Sequence, residues 1–455
     1  MPVRSQFRNA RHDRAPRPDT RSYGGVFRAL RYRNYRLFFA GQSISVIGTW
    51  LQMVALSWLV YRLTHSALLL GVTGFAGQIP AVLIGPFCGV MIDRWNRHRI
   101  LMVTQSLALL QAAALATMVY THHASILWIM LLSAFMGVVN AFDMPARQAF
   151  VIQMVEDRTD LPNAIALNSS MFNGARLIGP SVAGILLASV GEGMCFLLNA
   201  ISYLAVIAAL AAMRVRSTTD SRPKQRVLVE LREGLSYAAH FAPIRNLLTL
   251  LALLCLVAMP YNVLMPVFAA SILHGGAVTL GFLTTATGIG ALAAALYLAS
   301  RKSVLGLTRV ILVGVTLFGF GLLVFSRSHV LWLSMIMLSV AGFGMMLHLA
   351  STNTVLQTVV DEDKRGRVMS LHSMSFMGTA PFGSLLAGVM AHRFGAPNTI
   401  FFSGLCCLAA GLAFARHLPT LRAAIRPVYI RAGIIEEAAD IMPAPVDLDE
   451  SLEMT

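Results

Sequence analysis

Long apolar runs separated by short polar segments fill the chain from residue 37 to residue 415. Each run has roughly the 20 residues with which a helix crosses the hydrocarbon core of a bilayer. The pattern predicts twelve membrane-spanning helices, numbered spans 1 to 12, at residues 37–61, 66–91, 100–121, 125–146, 164–190, 194–213, 246–270, 278–300, 309–326, 329–352, 368–391 and 396–415. The sequence therefore predicts an all-α membrane protein.

The polar segment at residues 214–245 divides the spans into two sets of six. Residues 153–191 align without a gap on residues 357–395, with eleven identities among 39 positions, so span 5 matches span 11. Parallel six-helix repeats build one large class of transporters. We expect two pseudo-symmetric six-helix bundles joined by a loop and flanked by a basic tail and a solvated tail. The predicted units are 1–34 (basic tail), 35–213 (first bundle), 214–245 (loop), 246–416 (second bundle) and 417–455 (solvated tail).

Positive charge is concentrated on one side of the predicted membrane. The net charge is +15, and 32 of the 36 Lys and Arg residues fall on the side that carries both termini. Basic residues are retained in cytoplasmic loops. The placement predicts a multi-pass membrane protein with both termini in the cytoplasm. It also accounts for the basic character without a nucleic-acid partner.

The sequence lacks the patterns of enzymes and cofactor sites. The five cysteines fall in or at the ends of spans without metal or redox spacing. No glycine-rich loop has the spacing of a phosphate-binding site, and the first 35 residues lack the apolar core of a cleavable signal peptide. We expect a protein that is not an enzyme, binds no cofactor or metal, contacts the lipid bilayer and works as a monomer.

The segment between spans 2 and 3, GVMIDRWNRHR at residues 89–99, combines Gly89, Asp93, Arg94 and Arg97. It resembles the signature loop of the major facilitator superfamily. The stretches GQSISVIGTWLQMVALSWLVYRLTHS, NAFDMPARQAF and NGARLIGPSVAGILL resemble the transmembrane secretion effectors related to the enterobactin exporter. The resemblance covers all twelve spans. It implies the major facilitator fold and export of a small organic molecule, such as a siderophore or an antimicrobial compound, by alternating access with protons as the coupling ion.

The chain departs from the family pattern in ways that bear on its gates and on coupling. Asn96 stands at the loop glycine, and the loop between spans 8 and 9 has lost its acidic residue. On span 5, the antiporter motif is present as Gly179, Pro180 and Gly184, which the resemblance implies are helix-packing residues. The Arg-x-x-Gln-Gly motif of some proton antiporters is missing from span 4.

Two acidic residues are candidates for a gate on the basic side of the membrane. Asp93 ends span 2, where the resemblance places it near the start of span 11, and a helix N-terminus attracts an anion. Asp143 lies near the end of span 4 and can pair with Arg94 or Arg97 across the loop. A local ion pair between Asp143 and Arg147, four residues apart on one helix face, is the alternative. The candidate gating residues are Gly89, Asp93, Arg94, Arg97, Asp143 and Arg147.

Arg176 is the only Lys or Arg in the interior of a predicted span, and it lies near the membrane midplane. Charge at that depth is costly and normally faces a cavity or a partner. Either Arg176 is held by backbone carbonyls and amides such as Asn140, or it contacts an anionic substrate. Gln42 and Gln52 on span 1 are polar at membrane depth and either line the cavity or tie helices together. The candidate substrate or coupling residues are therefore Arg176, Asn140, Gln42 and Gln52.

These observations favour a secondary active exporter of a small organic molecule. Two alternatives stay open. A membrane sensor or assembly protein that transports nothing would need neither alternating gates nor a polar cavity. An importer of small anions would use Arg176 in the same way but would move its substrate in the opposite direction.

The charge asymmetry generates a topology prediction. A reporter enzyme that is active only in the periplasm should be inactive when fused after residue 30 or after residue 430. Periplasmic activity of either fusion would contradict the predicted orientation.

Overall fold

In the computed structural model, the described part of the chain comprises residues 25, 27–214, 236–301 and 303–431, without the side chains of residues 86, 89, 90, 93 and 363. These residues are helical, with no strand among them. The helices are α1 (Arg33–Thr64), α2 (Ala67–Arg94), α3 (Arg97–Tyr120), α4 (Ile126–Met154), α5 (Leu161–Ala211), α6 (Ala242–Val257), α7 (Ala277–Ser300), α8 (Leu307–Phe325), α9 (Leu331–Val359), α10 (Glu362–Met377), α11 (Ala380–Phe394) and α12 (Ala396–Arg431). The predicted all-α class is confirmed. The predicted N-terminal tail up to residue 24, most of the central loop and the chain after residue 431 lie outside the described residues.

Eleven helical stretches among the described residues are long and apolar enough to cross a membrane. One of them, Arg158–Ala211, has 54 residues, more than twice the length that a span needs. Its backbone leaves the helical conformation at Gly191, with φ 79° and ψ 175°, which glycine adopts without steric cost. Gly179 packs against Trp50 and Asn199 packs against Gly48, so residues on both sides of Gly191 reach the same level of α1. The chain therefore reverses at Gly191, between predicted spans 5 and 6.

Successive spans alternate in direction, which gives the molecule two faces. The N-terminal face is the side on which α1 begins, and it carries the connections at residues 95–96, 155–160, 301–306 and 360–361. The far face carries the connections at residues 65–66, 121–125, 273–276 and 326–330, together with Gly191 and Gly395. α1 packs along both parts of α5, and α2 packs along α4 and α11. α9 lies between α7 and α8, and α8 packs along α12.

The two sets of six spans meet through glycines near the far face. A Cβ built on Gly281 of α7 would lie 2.8 Å from the Cα of Gly184 of α5. A Cβ built on Gly388 of α11 would lie 2.8 Å from the Cα of Gly71 of α2. Gly184 and Gly388 are matched positions of the internal repeat, so the two contacts are equivalent. At these four positions, any side chain larger than the hydrogen atom of glycine would hold the helix backbones apart.

Two further glycines lie on α2 and α5 toward the N-terminal face. A Cβ at Gly85 or at Gly174 would meet no described atom within 4 Å, whereas Gly71, Gly74 and Gly184 are all in contact across the interface. On α5 the contact with α7 nevertheless extends to Arg176, whose carbonyl oxygen would lie 3.0 Å from a Cβ on Gly288.

Spans 7 and 11 are not continuous α-helices. After α6, span 7 continues as a 3-10 helix at Met259–Leu264, one α-turn at Met265–Val267 and a π-helix at Phe268–Ile272. Pro260 and Pro266 lack the N–H that a regular helix needs, which favours this irregular path. Span 11 breaks at residues 378–379, between α10 and α11. Gly383 of α11 packs against Pro260 and the carbonyl of Leu256, so the interrupted spans are neighbours.

Several helices extend beyond the predicted spans. α4 continues to Met154, eight residues past the predicted end of span 4, and α12 continues to Arg431 through the start of the predicted C-terminal tail. Part of the predicted basic tail is also anchored to the protein. The Ala29 amide donates to Asn163 Oδ1 over 2.9 Å, and Arg31 Nη2 lies 2.7 Å from Asp160 Oδ2. An apolar run predicts only the part of a helix that lies in hydrocarbon. These helices continue into polar surroundings, so the predicted spans were shorter than the helices.

The glycine contact at the far face can be tested by adding a side chain to it. Gly281→Val would drive methyl groups into the backbone of Gly184 and the carbonyl of Pro180, where overpacking costs about 1–3 kcal/mol. We expect a lower Tm of the purified protein in detergent. Gly85→Val, which places the same side chain in open space, is the matched control and should leave Tm unchanged. An equal Tm for both variants would contradict a close glycine contact.

Candidate functional site

Arg176 lies midway between Leu161 and the break at Gly191, which places it at the middle of the membrane-spanning part of α5. Its side chain is exposed, and it has no hydrogen-bond or ion-pair partner among the described residues. Tyr261, from the irregular part of span 7, interacts with it electrostatically. The buried hydroxyl of Tyr261 has no hydrogen-bond partner within the described chain, and the neighbouring Asn262 is exposed. A guanidinium, a phenol and an amide are thus grouped at mid-depth.

The geometry of this group favours an anionic ligand over a permanent protein partner. A guanidinium at the depth of Arg176 is costly unless it is paired or hydrated. Arginine presents a planar fork of donors that fits a carboxylate or a catecholate. Arg176 has no carboxylate partner among the described residues, so no protein ion pair accounts for its charge.

None of the three amides that sequence analysis grouped with Arg176 forms a hydrogen bond with it among the described residues. Gln52 Nε2 donates to Gln111 Oε1 over 2.9 Å, and Gln52 Oε1 accepts from Asn199 Nδ2 over 2.8 Å. This buried network ties α1 to α3 and to the second part of α5, so Gln52 joins helices in this conformation. Gln42 is buried on α1, and Asn140 is partly exposed on α4. Neither forms a hydrogen bond with Arg176.

Asp143 is held inside the first set of spans by a complete set of partners. It forms an ion pair with Arg147 on the same helix. Its Oδ1 accepts from Thr104 Oγ1 over 2.9 Å and from Gln105 Nε2 over 2.7 Å. Asp143 is buried about three turns before α4 ends, because α4 is longer than the predicted span. Of the two pairings that the sequence left open, the structure contains the local one with Arg147.

The other candidate gating residues lie at the N-terminal face. Arg94 ends α2 and is exposed, and Arg97 begins α3 and is partly exposed. The side chains of Gly89 and Asp93 lie outside the described residues. Asn96, at the position of the family's loop glycine, accepts a hydrogen bond from the Arg99 amide over 3.2 Å and caps α3. Its backbone is extended, with φ −67°, so a left-handed conformation is not required there.

The three motif residues of span 5 lie at helix contacts. Gly179 faces Trp50, and its Cβ would lie 2.6 Å from the Trp50 Cβ. Gly184 meets Gly281, and the carbonyl of Pro180 would lie 2.9 Å from a Cβ on Gly281. The motif therefore contributes both to packing within the first set of spans and to the far-face contact with the second set.

Sequence reasoning missed the polar partners that close the far face. Three hydroxyl or amide pairs bridge the two sets of spans there: Tyr61 Oη with Ser271 Oγ at 2.6 Å, Ser181 Oγ with Thr285 Oγ1 at 2.6 Å, and Gln78 Nε2 with Ser384 Oγ at 3.3 Å. All are neutral. Small and hydroxyl residues at helical spacing could have predicted these contacts. Such residues also occur on many other helix faces of this chain, so the pattern does not single out the interface.

Eleven stretches of the described chain that are long and apolar enough to cross a membrane, together with a guanidinium at mid-depth, are typical of membrane transporters. A family model described as transmembrane secretion effector, within the major facilitator superfamily, matches residues 25–433. The chain belongs to this family, as its motifs suggested.

The relatives of this chain are transporters. It is 25% identical over 382 residues to a staphyloferrin A transporter of Staphylococcus aureus (strain NCTC 8325 / PS 47), covering 83% of this chain and 95% of the relative. It is 26% identical over 399 residues to macrolide efflux protein A of Streptococcus pyogenes, covering 83% and 96%. A crystal structure of a peptide transporter of the POT type superposes with a TM-score of 0.69 at 11% identity, covering 86% and 95%, and shows the same fold.

Proposed function

We propose that this protein is a secondary active transporter that exports a small organic molecule across the bacterial inner membrane by alternating access. Its spans form two pseudo-symmetric six-helix bundles, residues 35–213 and 246–416, and both termini are cytoplasmic. The observation that carries the proposal is the pair of equivalent glycine contacts that closes the interface near the far face, whereas Gly85 and Gly174, nearer the N-terminal face, meet no described atom within 4 Å. We interpret this asymmetry as an interface that is open toward the N-terminal face. With the N-terminal face in the cytoplasm, this conformation accepts a solute from the cell interior.

Export requires the interface to close at the N-terminal face and to open at the far face. The far-face contacts are suited to this change, because glycine backbones and neutral hydroxyl pairs separate without leaving an unpaired charge. The equivalence of Gly184 with Gly388 favours a rocking motion in which both contacts open together.

The basic loop between α2 and α3 is our candidate for the opposite gate. In the outward-open state, Asp93 would approach the start of α10, while Arg94 and Arg97 would add polar contacts at the same face. Asp143 and Arg147 stay paired inside the first bundle. Their ion pair stabilises the last turns of α4, next to the proposed gate. Gly89 keeps α2 free of side-chain bulk next to the loop.

Arg176 defines the class of substrate that we propose, which is an organic molecule with a carboxylate or a catecholate. Binding such an anion would relieve the cost of an unpaired guanidinium at mid-depth. Tyr261 and Asn262 add hydrogen-bonding groups beside it. The relatives named for staphyloferrin A and for macrolides support small organic solutes, and protons are the coupling ion that we propose for export.

The role of Arg176 can be tested in everted membrane vesicles with a labelled citrate-based siderophore as the probe. Arg176→Gln should reduce accumulation of this anion at least about tenfold, because loss of a charge-assisted bidentate contact costs about 1.5–3 kcal/mol. Arg176→Lys keeps the charge without the fork and should retain part of the transport.

Arg393→Gln, which removes the same charge from an exposed position at the far face, is the matched control and should transport at the parent rate. Parent-like accumulation by Arg176→Gln at equal protein levels would contradict the anion contact. Uptake of the probe into right-side-out cells against its gradient would instead identify an importer.

A further inference from the structure

Two histidines lie on neighbouring helices of the second set of spans. His348 of α9 is 2% exposed, and its Nδ1 lies 3.4 Å from the hydroxyl of Thr352. His372 of α10 is partly exposed and interacts electrostatically with His348. In both rings Nε2 is buried and has no hydrogen-bond partner among the described residues. A neutral imidazole has one donor and one acceptor nitrogen, so each buried Nε2 is an unused site for a proton or a hydrogen bond.

The two histidines also lie at the same depth. His348 is about three turns before α9 ends at Val359, and His372 is about three turns after α10 begins at Glu362, or ~15–17 Å for each. Both helix ends are on the N-terminal face. The pair therefore lies about half a bilayer thickness from the N-terminal face, and packed helices shield it.

The first set of spans has a charged pair at the equivalent place. Asp143 is about three turns before the end of α4, with Arg147 four residues later, just as His348 is followed four residues later by Thr352. Asp143 is neutralised by Arg147 and hydrogen-bonded by Thr104 and Gln105. A proton on Asp143 would break this ion pair, whereas a proton on the histidine pair would break none.

The other charged groups on the surrounding helices lie nearer the N-terminal face than the histidine pair. The helices packed on α9 are α6, α7, α8, α10 and α12. α7 contains no charged residue, and Arg245 of α6 and Arg309 of α8 lie in the first turns of their helices at the N-terminal face. The charged residues of α10 and α12 lie within about two turns of that face or beyond, namely Glu362, Asp363, Lys364, Arg365 and Arg367 on α10, and Arg416, His417, Arg422, Arg426 and Arg431 on α12. Among the described groups, His372 alone acts electrostatically on His348.

We propose that His348 and His372 together form the proton-binding site that couples the pH gradient to export, an inference that rests on the proposed transport function. The pair binds one proton at a free Nε2, because two adjacent imidazolium ions repel each other. The proton enters when the far face is open and leaves to the N-terminal face in the conformation described here. One proton is bound and the same proton is released, so the cycle balances without a co-reactant.

The test uses the full-length protein in proteoliposomes with the membrane potential abolished. A labelled citrate-based siderophore and a labelled macrolide are the probes, and the lumen, which corresponds to the far face, is acidic by one pH unit. Coupling of one proton per solute then supports accumulation up to about tenfold. Equilibration of each probe without a pH gradient is measured in parallel, because it reports movement through the protein independently of coupling.

His348→Gln and His372→Gln should each equilibrate the probe at close to the parent rate. When the pH gradient is imposed, the ratio of probe concentration in the lumen to that outside should stay at about one. His372 is partly exposed, so its variant supplies a readout if the fully buried His348 does not tolerate substitution. His417→Gln, at an exposed position of α12, is the matched control and should accumulate the probe like the parent.

The outcomes separate the two proposals. Full gradient-driven accumulation by a histidine variant would overturn the assignment of the proton site and leave the transport function intact. A parent protein that neither equilibrates nor accumulates either probe would contradict the transport function itself. A parent protein that equilibrates a probe without accumulating it would overturn the histidine site together with proton coupling.

Discussion

Close contact between glycine backbones near the far face is the interaction on which the rest of the structure depends. Gly184 with Gly281 and Gly71 with Gly388 bring four helices together at two equivalent points. Because hydrocarbon supplies no hydrophobic force between helices, such contacts rely on close packing, and only glycine allows backbones to approach this far. These contacts join the two sets of spans at one face, and the proposed alternation requires them to separate.

The cost of charge in a membrane interior separates the polar residues into two groups. Asp143 and Gln52 are buried with all of their principal partners, so they stabilise one set of spans and offer nothing to a solute. Arg176 and the two histidines have unused charge or hydrogen-bonding capacity within the described chain. Unused capacity at membrane depth is expensive, and its persistence in a fold is best explained by a ligand or an ion that occupies it part of the time.

Much of the fold could be predicted because membrane-length apolar runs leave few choices. The spans, the break near Gly191 and the repeat that relates Gly184 to Gly388 all follow from span length and from sequence matching. The extension of α4 to Met154, the irregular path at Met259–Leu264 and the partners of Gln52 could not be predicted, because they depend on which helix faces meet. The pairing of Asp143 was one of two stated alternatives, since four-residue spacing and spatial proximity are equally compatible with the sequence.

The central claim, that the interface alternates between its two faces, is tested most directly by measuring distances across both faces in one population of molecules. Spin labels at positions 95 and 365 report the N-terminal face, and labels at positions 64 and 394 report the far face, in a chain without the five native cysteines. On changing from alkaline to acidic buffer or on adding a citrate-based siderophore, the N-terminal distance should shorten in the same fraction of molecules in which the far distance lengthens. A single fixed distance at both faces under all conditions, or lengthening at both faces together, would contradict the account.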